Sequence, residues 1–405
     1  MNLPLFISRK IAAGSAGSFS RTINKVAVVS VGAGLSVLLL AFMILFGFKE
    51  EIRKKIYSFS GHLIVTKYTL NTSFEETAIS VNQDLLDKIT AYPKVEHVQP
   101  YAMKAALLKT EEEVQGVILK GVDASFDTAK FSQYLIEGTF PDYSGEKYST
   151  DVVLSAKIAN YLRLQVGDKV LVYFVQNPPR YRPIQIAGIY QTGLEEYDDQ
   201  IILSDLDLIR RINNWPDSLA GGLEIILEDD NNLEEAEEDL HFIVDVDQYV
   251  DKVTDRYSQV FDWLELLNRN VVVLFAIIIF VCGTSIISIL LILIMERTQM
   301  IGVMKSLGAT NKMLRNIFVY NGLQLILKGL FWGNLIGLGL GMLQYFFKII
   351  PLDEVNYYMS HVPIVIDLPT ILALNAAVFF LIGFVLLIPV AIITRIQPVQ
   401  SIRFD

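Results

Sequence analysis

The sequence predicts an α-helical membrane protein of four spans, with a large α+β domain inserted between the first and second spans on the extracytoplasmic, periplasmic side. Three observations predict it. Charge is divided unevenly: residues 49–269 hold 61 of the 78 Lys, Arg, Asp and Glu, 28% of that stretch, while the other 184 residues hold 17, or 9%. A soluble domain carries about 25%. Apolar runs at 26–48, 271–295, 317–347 and 371–393 are long enough to cross a bilayer core, which takes roughly 20 residues. Between the first two runs lie short alternating β-branched segments and capped helical ones, the pattern of an α+β domain.

In chain order, 1–25 is a basic segment whose start, Leu3-Pro-Leu-Phe-Ile-Ser-Arg-Lys-Ile, reads either as a short interfacial helix or as a plain basic tail. The run 26–48 is too long for a signal-peptide core and no small-residue cleavage pattern follows it, so it reads as an uncleaved anchor. Within 49–270, strands are expected at 62–67, 116–121, 152–154, 169–175, 184–190, 200–203 and 222–227. Helices are expected at 82–91, 205–212, 233–240 and 254–268, the last running straight into the second span. Both ends of the domain therefore join membrane helices. The third run holds one charge, Lys328, best read as snorkelling to the interface. It also carries Gly333, Gly337 and Gly341, spaced for close approach to the fourth span. A short loop, 348–370, precedes the fourth span, and 394–405 is a tail.

Orientation follows from the basic residues. Segments 1–25, 296–316 and 394–405 carry ten Lys and Arg against two acids. The other side has 22 bases against 39 acids in 49–270, and one against three in 348–368. Both termini are placed in the cytoplasm and the large domain outside the inner membrane.

Chemistry is sparse. Net charge of −10 argues against nucleic-acid binding. The single cysteine, Cys282, excludes an internal disulfide and reads as a small buried apolar residue. His62, His97, His241 and His361 have no metal-ligand spacing, and no metal site is expected. The acidic run 228–239 reads as a solvated helix start, and Tyr197-Asp198-Asp199 as a carboxylate pair or a polar turn. No catalytic residue is assigned and no enzyme is expected.

The connection 296–316 is the informative segment. Met300, Val303, Met304 and Leu307 fall on one helical face, Gly308 sits where a helix would end and Thr310 where the next would be capped. Periodicity alone leaves that face free to fill a partner's groove or to lie on the bilayer.

Here the chain resembles a known family. Glu296, Arg297, Thr298, Ile301, Gly302, Met304, Lys305, Ser306, Leu307, Gly308 and Ala309 match the E-[KR]-T-x-x-I-[AG]-x-[LM]-[KR]-[AS]-L-G-A signature of FtsX-like, MacB-type ABC transporter permeases. Phe6-Ile7-Ser8-Arg9, Gly47-Phe48 with Glu51, Val152-Val153-Leu154, Val166-Gly167-Asp168-Lys169-Val170 and Gly188-Ile189-Tyr190-Gln191-Thr192-Gly193 resemble the lipoprotein-releasing (LolC/LolE-type) branch. Pro389 and Ile396-Gln397-Pro398-Val399-Gln400-Ser401-Ile402-Arg403 resemble its closing pattern.

The resemblance implies a MacB-like periplasmic core domain at 49–270 and an FtsX-like permease domain at 271–405. It implies a coupling helix (Glu296, Arg297, Met300, Ile301, Gly302, Met304, Lys305, Leu307, Gly308) that docks on a separate cytoplasmic ABC ATPase, LolD-like. ATP and Mg would belong to that partner, so this chain binds no cofactor; it has no G-x-x-x-x-G-K-[ST] loop of its own. A second permease subunit, identical or related, a lipoprotein substrate and a periplasmic carrier complete the implied partners. A cavity for lipid chains would lie at the outer ends of the first two spans, lined by Ile44, Leu45, Gly47, Phe48, Val272, Phe275 and Ile279. One departure stands out: the branch can dock its carrier through an extended loop, and the corresponding loop here, 176–183, is short. The competing readings are a MacB-type efflux permease for drugs or peptides, and an FtsX-like transmitter that regulates an envelope hydrolase without transport.

Overall fold

The computed structural model describes residues 4, 6–8, 19–69, 75–145, 147–229, 232–353, 357 and 359–391. The tail 394–405 with its closing pattern, and most of the N-terminal segment, lie outside the described residues. The chain divides into two units, one of Met1–Lys49, Trp263–Pro351 and His361–Asp405, the other of Glu50–Asp262 and Leu352–Ser360.

The first unit is built on four long apolar helices, each long and apolar enough to cross a membrane. They span Phe19–Ser60, Ser258–Glu296, Asn311–Phe347 and Leu368–Val385, the last resuming after Leu386 as Leu387–Ala391. A helix satisfies all its backbone groups internally, which an apolar solvent demands. The break falls where Pro389 would meet the carbonyl of Val385, four residues back. The helices bury Leu35, Leu38, Leu39, Ile286, Leu290, Leu293, Phe318, Ile326, Ile382 and Leu386 against one another. Their outer faces stay greasy: Phe280, Phe331, Phe380 and Phe384 are all at least 65% exposed. Such a surface suits lipid and not water. The first helix runs well past Phe48, to Ser60.

The third helix corrects one expectation. Gly333, Gly337 and Gly341 face the first helix, not the fourth. A Cβ on Gly333 would lie 2.8 Å from the Gly32 carbonyl oxygen, one on Gly337 3.0 Å from Ser36 Cα, and one on Gly341 2.6 Å from Met43 Cε. Gly329, one turn earlier, meets Val31 in the same way at 2.7 Å. The fourth helix is met on a different face: Asn334 and Asn375 exchange side-chain hydrogen bonds at 2.7 and 2.9 Å. Residues four apart share a face, and Asn334 sits about 100° round the helix from Gly333.

In the second unit a 10-stranded sheet runs in the order β12-β1-β11-β3-β4-β9-β6-β8-β5, with β7 joined to β3 and β8, and a small β10-β2 pair beside it. The strands are β1 Leu63–Lys67, β2 Ile79–Ser80, β3 Val95–Lys109, β4 Val114–Val122, β5 Leu135–Gly138, β6 Asp151–Ser155, β7 Lys169–Phe174, β8 Arg180–Tyr190, β9 Ile201–Asp205, β10 Leu219–Ala220, β11 Gly222–Leu227 and β12 Gln248–Lys252. Helices Gln83–Thr90, Ala156–Leu162, Leu206–Asn213 and Leu233–His241 pack around it. Asn82, Ser155 and Asp205 cap the first three through their side-chain oxygens, satisfying otherwise orphaned N–H groups. β9 and β11 are buried along their whole length, as central strands covered on both sides must be.

Three expectations change here. The longest strand, β3, was not foreseen: Pro100 within it and the helix-favouring run Met103-Lys-Ala-Ala-Leu-Leu disguise it. The helix expected at 254–268 is broken at Tyr257 (φ −106°, ψ 35°), so a short turn, Val253–Arg256, precedes the long helix from Ser258. The loop expected at 176–183 is shorter still, because β8 already begins at Arg180 and pairs with Phe174. Arg180 ties this hairpin to the end of helix Leu206–Asn213, donating to the Arg211 and Ile212 carbonyls at 3.1 and 2.6 Å.

Candidate functional site

The segment 296–316 folds as a helix–turn–helix. The second long helix stops at Glu296, and Thr298 takes up carbonyls freed at the break, donating to Met295 O at 2.6 Å and Ile294 O at 3.3 Å. Arg297 sits at the break, its Nε buried with no hydrogen-bond partner among the described residues. A short helix, Thr298–Ser306, follows. It ends as Gly308 takes φ 92°, a conformation glycine adopts freely, and as the Gly308 and Ala309 amides bond back to Lys305 and Met304. Thr310 then caps the third long helix, its hydroxyl accepting from the Met313 amide at 3.3 Å.

The apolar stripe expected on this short helix divides in two. Ile301 and Gly302 are buried, and Met300 and Met304 pack half-buried against the core of the helical unit. Val303 is 49% and Leu307 82% exposed, next to exposed Gln299 and Ser306. Helical spacing defines a face, but the face is about a third of the circumference wide, and its inner edge serves the core. What the helix presents outward is therefore Val303 and Leu307, with Glu296 and exposed Met295 just before them. Two apolar side chains on a firmly seated helix can fill a partner's groove.

The residues expected to line a lipid cavity differ in exposure. Leu45 is buried, and a side chain on Gly47 would meet the Pro363 carbonyl at 2.6 Å. Phe48 stacks edge-on against Trp263 with ring centroids 5.7 Å apart. Phe275 and Ile279 pack against the helical core, while Ile44 and Val272 are exposed.

The sheet unit offers buried polar groups that the sequence did not flag. Lys120 and Glu224 form an ion pair at 2.7 Å with side chains 0% and 1% exposed. Gln99 donates to the same carboxylate at 2.8 Å, and the Lys120 ammonium also donates to the Phe59 carbonyl in the last turn of the first helix. A second cluster joins Tyr101, Glu76 and Arg256, with the Tyr101 hydroxyl donating to Glu76 at 2.5 Å and the guanidinium at 2.8 Å. Burial raises the Glu76 carboxyl above its ordinary range. Burial, helped by the nearby Lys130 charge, pushes the His62 imidazole down to about 4. Asp198 lies in the polar turn between β8 and β9, at the end of the short helix Glu195–Asp198. It is buried and accepts from the Thr192 amide and hydroxyl and from the Gly193 amide, at 3.1, 2.8 and 2.8 Å. Among the described residues, no three His, Cys, Asp or Glu side chains gather as a metal site. These groups bond to one another and to the backbone within the sheet unit.

Comparison with known proteins places both halves. Residues 26–241 match the model of the MacB-like periplasmic core domain, and 272–398 that of the FtsX-like permease C-terminal region. The chain is 23% identical over 423 residues to the lipoprotein-releasing system transmembrane protein LolC of Neisseria meningitidis serogroup B, covering 98% of both. It is 24% identical over 434 residues to LolC of Haemophilus influenzae, covering 100% of both, and 23% identical over 355 residues to that organism's LolE, covering 84% of this chain and 83% of the relative.

Proposed function

The chain belongs to the family of permeases that join a MacB-like periplasmic core domain to an FtsX-like C-terminal half, and on that premise we propose that it is the membrane subunit of a lipoprotein-releasing ABC transporter. In this reading it lifts lipoproteins from the outer leaflet of the inner membrane for delivery toward the outer membrane. The observation that supports the reading is similarity to LolC proteins along the whole of both chains, not in the permease half alone.

The energetics explain why such a task needs a partner. Moving an acyl chain from bilayer to water costs about 0.8 kcal/mol per CH₂, so a triacyl anchor of roughly 45 methylenes would cost on the order of 35 kcal/mol. A separate cytoplasmic ATPase, holding ATP and Mg, supplies that work, and Val303 and Leu307 are its contact on this chain. A second permease subunit completes the path. Both termini face the cytoplasm in this reading, which the ten bases against two acids on their side support.

Depletion of the chain tests the reading. Outer-membrane lipoproteins should then accumulate in the inner-membrane fraction. If they remain correctly localised while a drug or peptide is retained instead, the protein is an efflux permease.

A further inference from the structure

Between the first and third long helices runs a groove of about 760 Å³ that no expectation covers. Its walls are apolar: Val28, Val29, Gly32, Leu325, Trp332 and Ile336. One end is polar, with Asn24, Lys25 and Lys328 and not a single acid on the lining. The glycine contacts pair Val31 with Gly329, Leu35 with Gly333 and Met43 with Gly341, so the two helices run parallel. Side chains on a helix lean toward its N-terminus. Lys328 therefore leans toward the level of Lys25. Neither lysine has an acidic partner among the described residues.

Asn24 is the second, independent observation. It is only 7% exposed, lines the groove, and neither its Oδ1 nor its Nδ2 has a hydrogen-bond partner among the described residues. A buried carboxamide left unpaired costs free energy, and a ligand that accepts from its N–H groups removes the part of that cost that falls on Nδ2. The occupant must then bring an anionic acceptor to the Asn24–Lys25–Lys328 end and an apolar chain to the rest. It must also be able to enter from a lipid-facing surface.

We propose that the groove binds one anionic phospholipid from the leaflet at its Lys25 end. The phosphate is held by Lys25, Lys328 and Asn24, and one acyl chain lies along Val28, Gly32, Trp332 and Ile336. Charge complementarity selects the anionic class, because a zwitterionic lipid would bring a third cationic group beside the two lysines.

Trp332 stands in the groove and reports on it. The chain has three tryptophans, so Trp215→Phe with Trp263→Phe leaves Trp332 alone. The full chain would be placed in phosphatidylcholine nanodiscs containing phosphatidylglycerol or phosphatidylcholine with brominated acyl chains, and quenching titrated at physiological salt. Phosphatidylglycerol should quench at lower mole fraction. A lysine near an anionic headgroup is worth about 1 kcal/mol, so Lys25→Gln and Lys328→Gln should each reduce that preference about fivefold. Asn24→Leu should reduce it too, while Lys312→Gln, on the same helix but outside the groove, should leave it intact. Equal quenching by the two lipids would overturn the proposal, as would a preference that survives both lysine changes together. So would a Trp332 that neither lipid quenches, since the groove would then be covered by protein, such as a second copy of the chain.

Discussion

The helical unit and the sheet unit are held together by opposite means. In the first, Gly329, Gly333, Gly337 and Gly341 of the third helix leave room for Val31, Leu35, Ser36 and Met43 of the first to approach its backbone closely. In the second, a fully buried contact is a charged one, Lys120 with Glu224, wrapped by Gln99 and the Phe59 carbonyl. The solvent accounts for the difference. In lipid there is no hydrophobic drive between helices, so attraction comes from close packing, which small residues permit. In water, apolar burial already drives collapse, and a buried ion pair contributes little net stability while its two halves depend on each other completely. The lesson is that removing a large group should hurt the sheet unit, and adding a small one should hurt the helical unit.

The largest test of that contrast is Lys120→Met. It leaves Glu224 charged, buried and unpaired, and should destabilise the sheet unit by about 3–5 kcal/mol. Urea unfolding followed by proteolysis at sites in that unit measures it, and Lys120→Met with Glu224→Leu should recover most of the loss. If the single change is as mild as the double one, the pair is not the keystone described. Next comes Gly333→Leu, which inserts a side chain where even a Cβ would lie 2.8 Å from a backbone oxygen. Overpacking of this kind costs about 1–3 kcal/mol. A lowered melting temperature of the full chain in detergent, without a matching fall for Gly339→Leu, whose Cβ would meet nothing within 4 Å, would sharpen the contrast. The smallest effect on stability belongs to Leu307→Asp, because that side chain already lies in the open. Its effect should appear elsewhere: ATP hydrolysis by the partner should no longer drive release. Met304→Asp, by comparison, should lower stability as well, since Met304 packs on the core. Normal release by Leu307→Asp would remove the short helix from the mechanism.

Legibility in the sequence also differs between the units. Four long apolar runs, three of them uncharged, announce helices without ambiguity, because nothing else of that length satisfies its own backbone in lipid. The turn after the short helix was readable from Gly308 and Thr310, each of a type that its backbone position favours. What periodicity could not supply was the neighbour. The glycine spacing identifies one face of the third helix but is silent on whether the first or the fourth helix meets it. In the same way, Met300, Val303, Met304 and Leu307 share a face in sequence, while the fold gives the first and third of them to the core. In the sheet unit, β3 escaped because Pro100 and the alanine-rich stretch carry local preferences that tertiary pairing overrides. Lys120 and Glu224 lie in separate strands more than a hundred residues apart, and only the sheet order brings them together.

The glycine contacts have a kinematic consequence. Val31, Leu35, Ser36 and Met43 each sit in a notch left by a missing side chain, like teeth in a rack. Sliding the third helix along the first by one residue, about 1.5 Å, would drive Leu330 or Asn334 into a notch meant for glycine. The two helices are therefore a single strut. An axial stroke within this unit cannot then be taken up between the first and third helices, which move along their common axis as one piece.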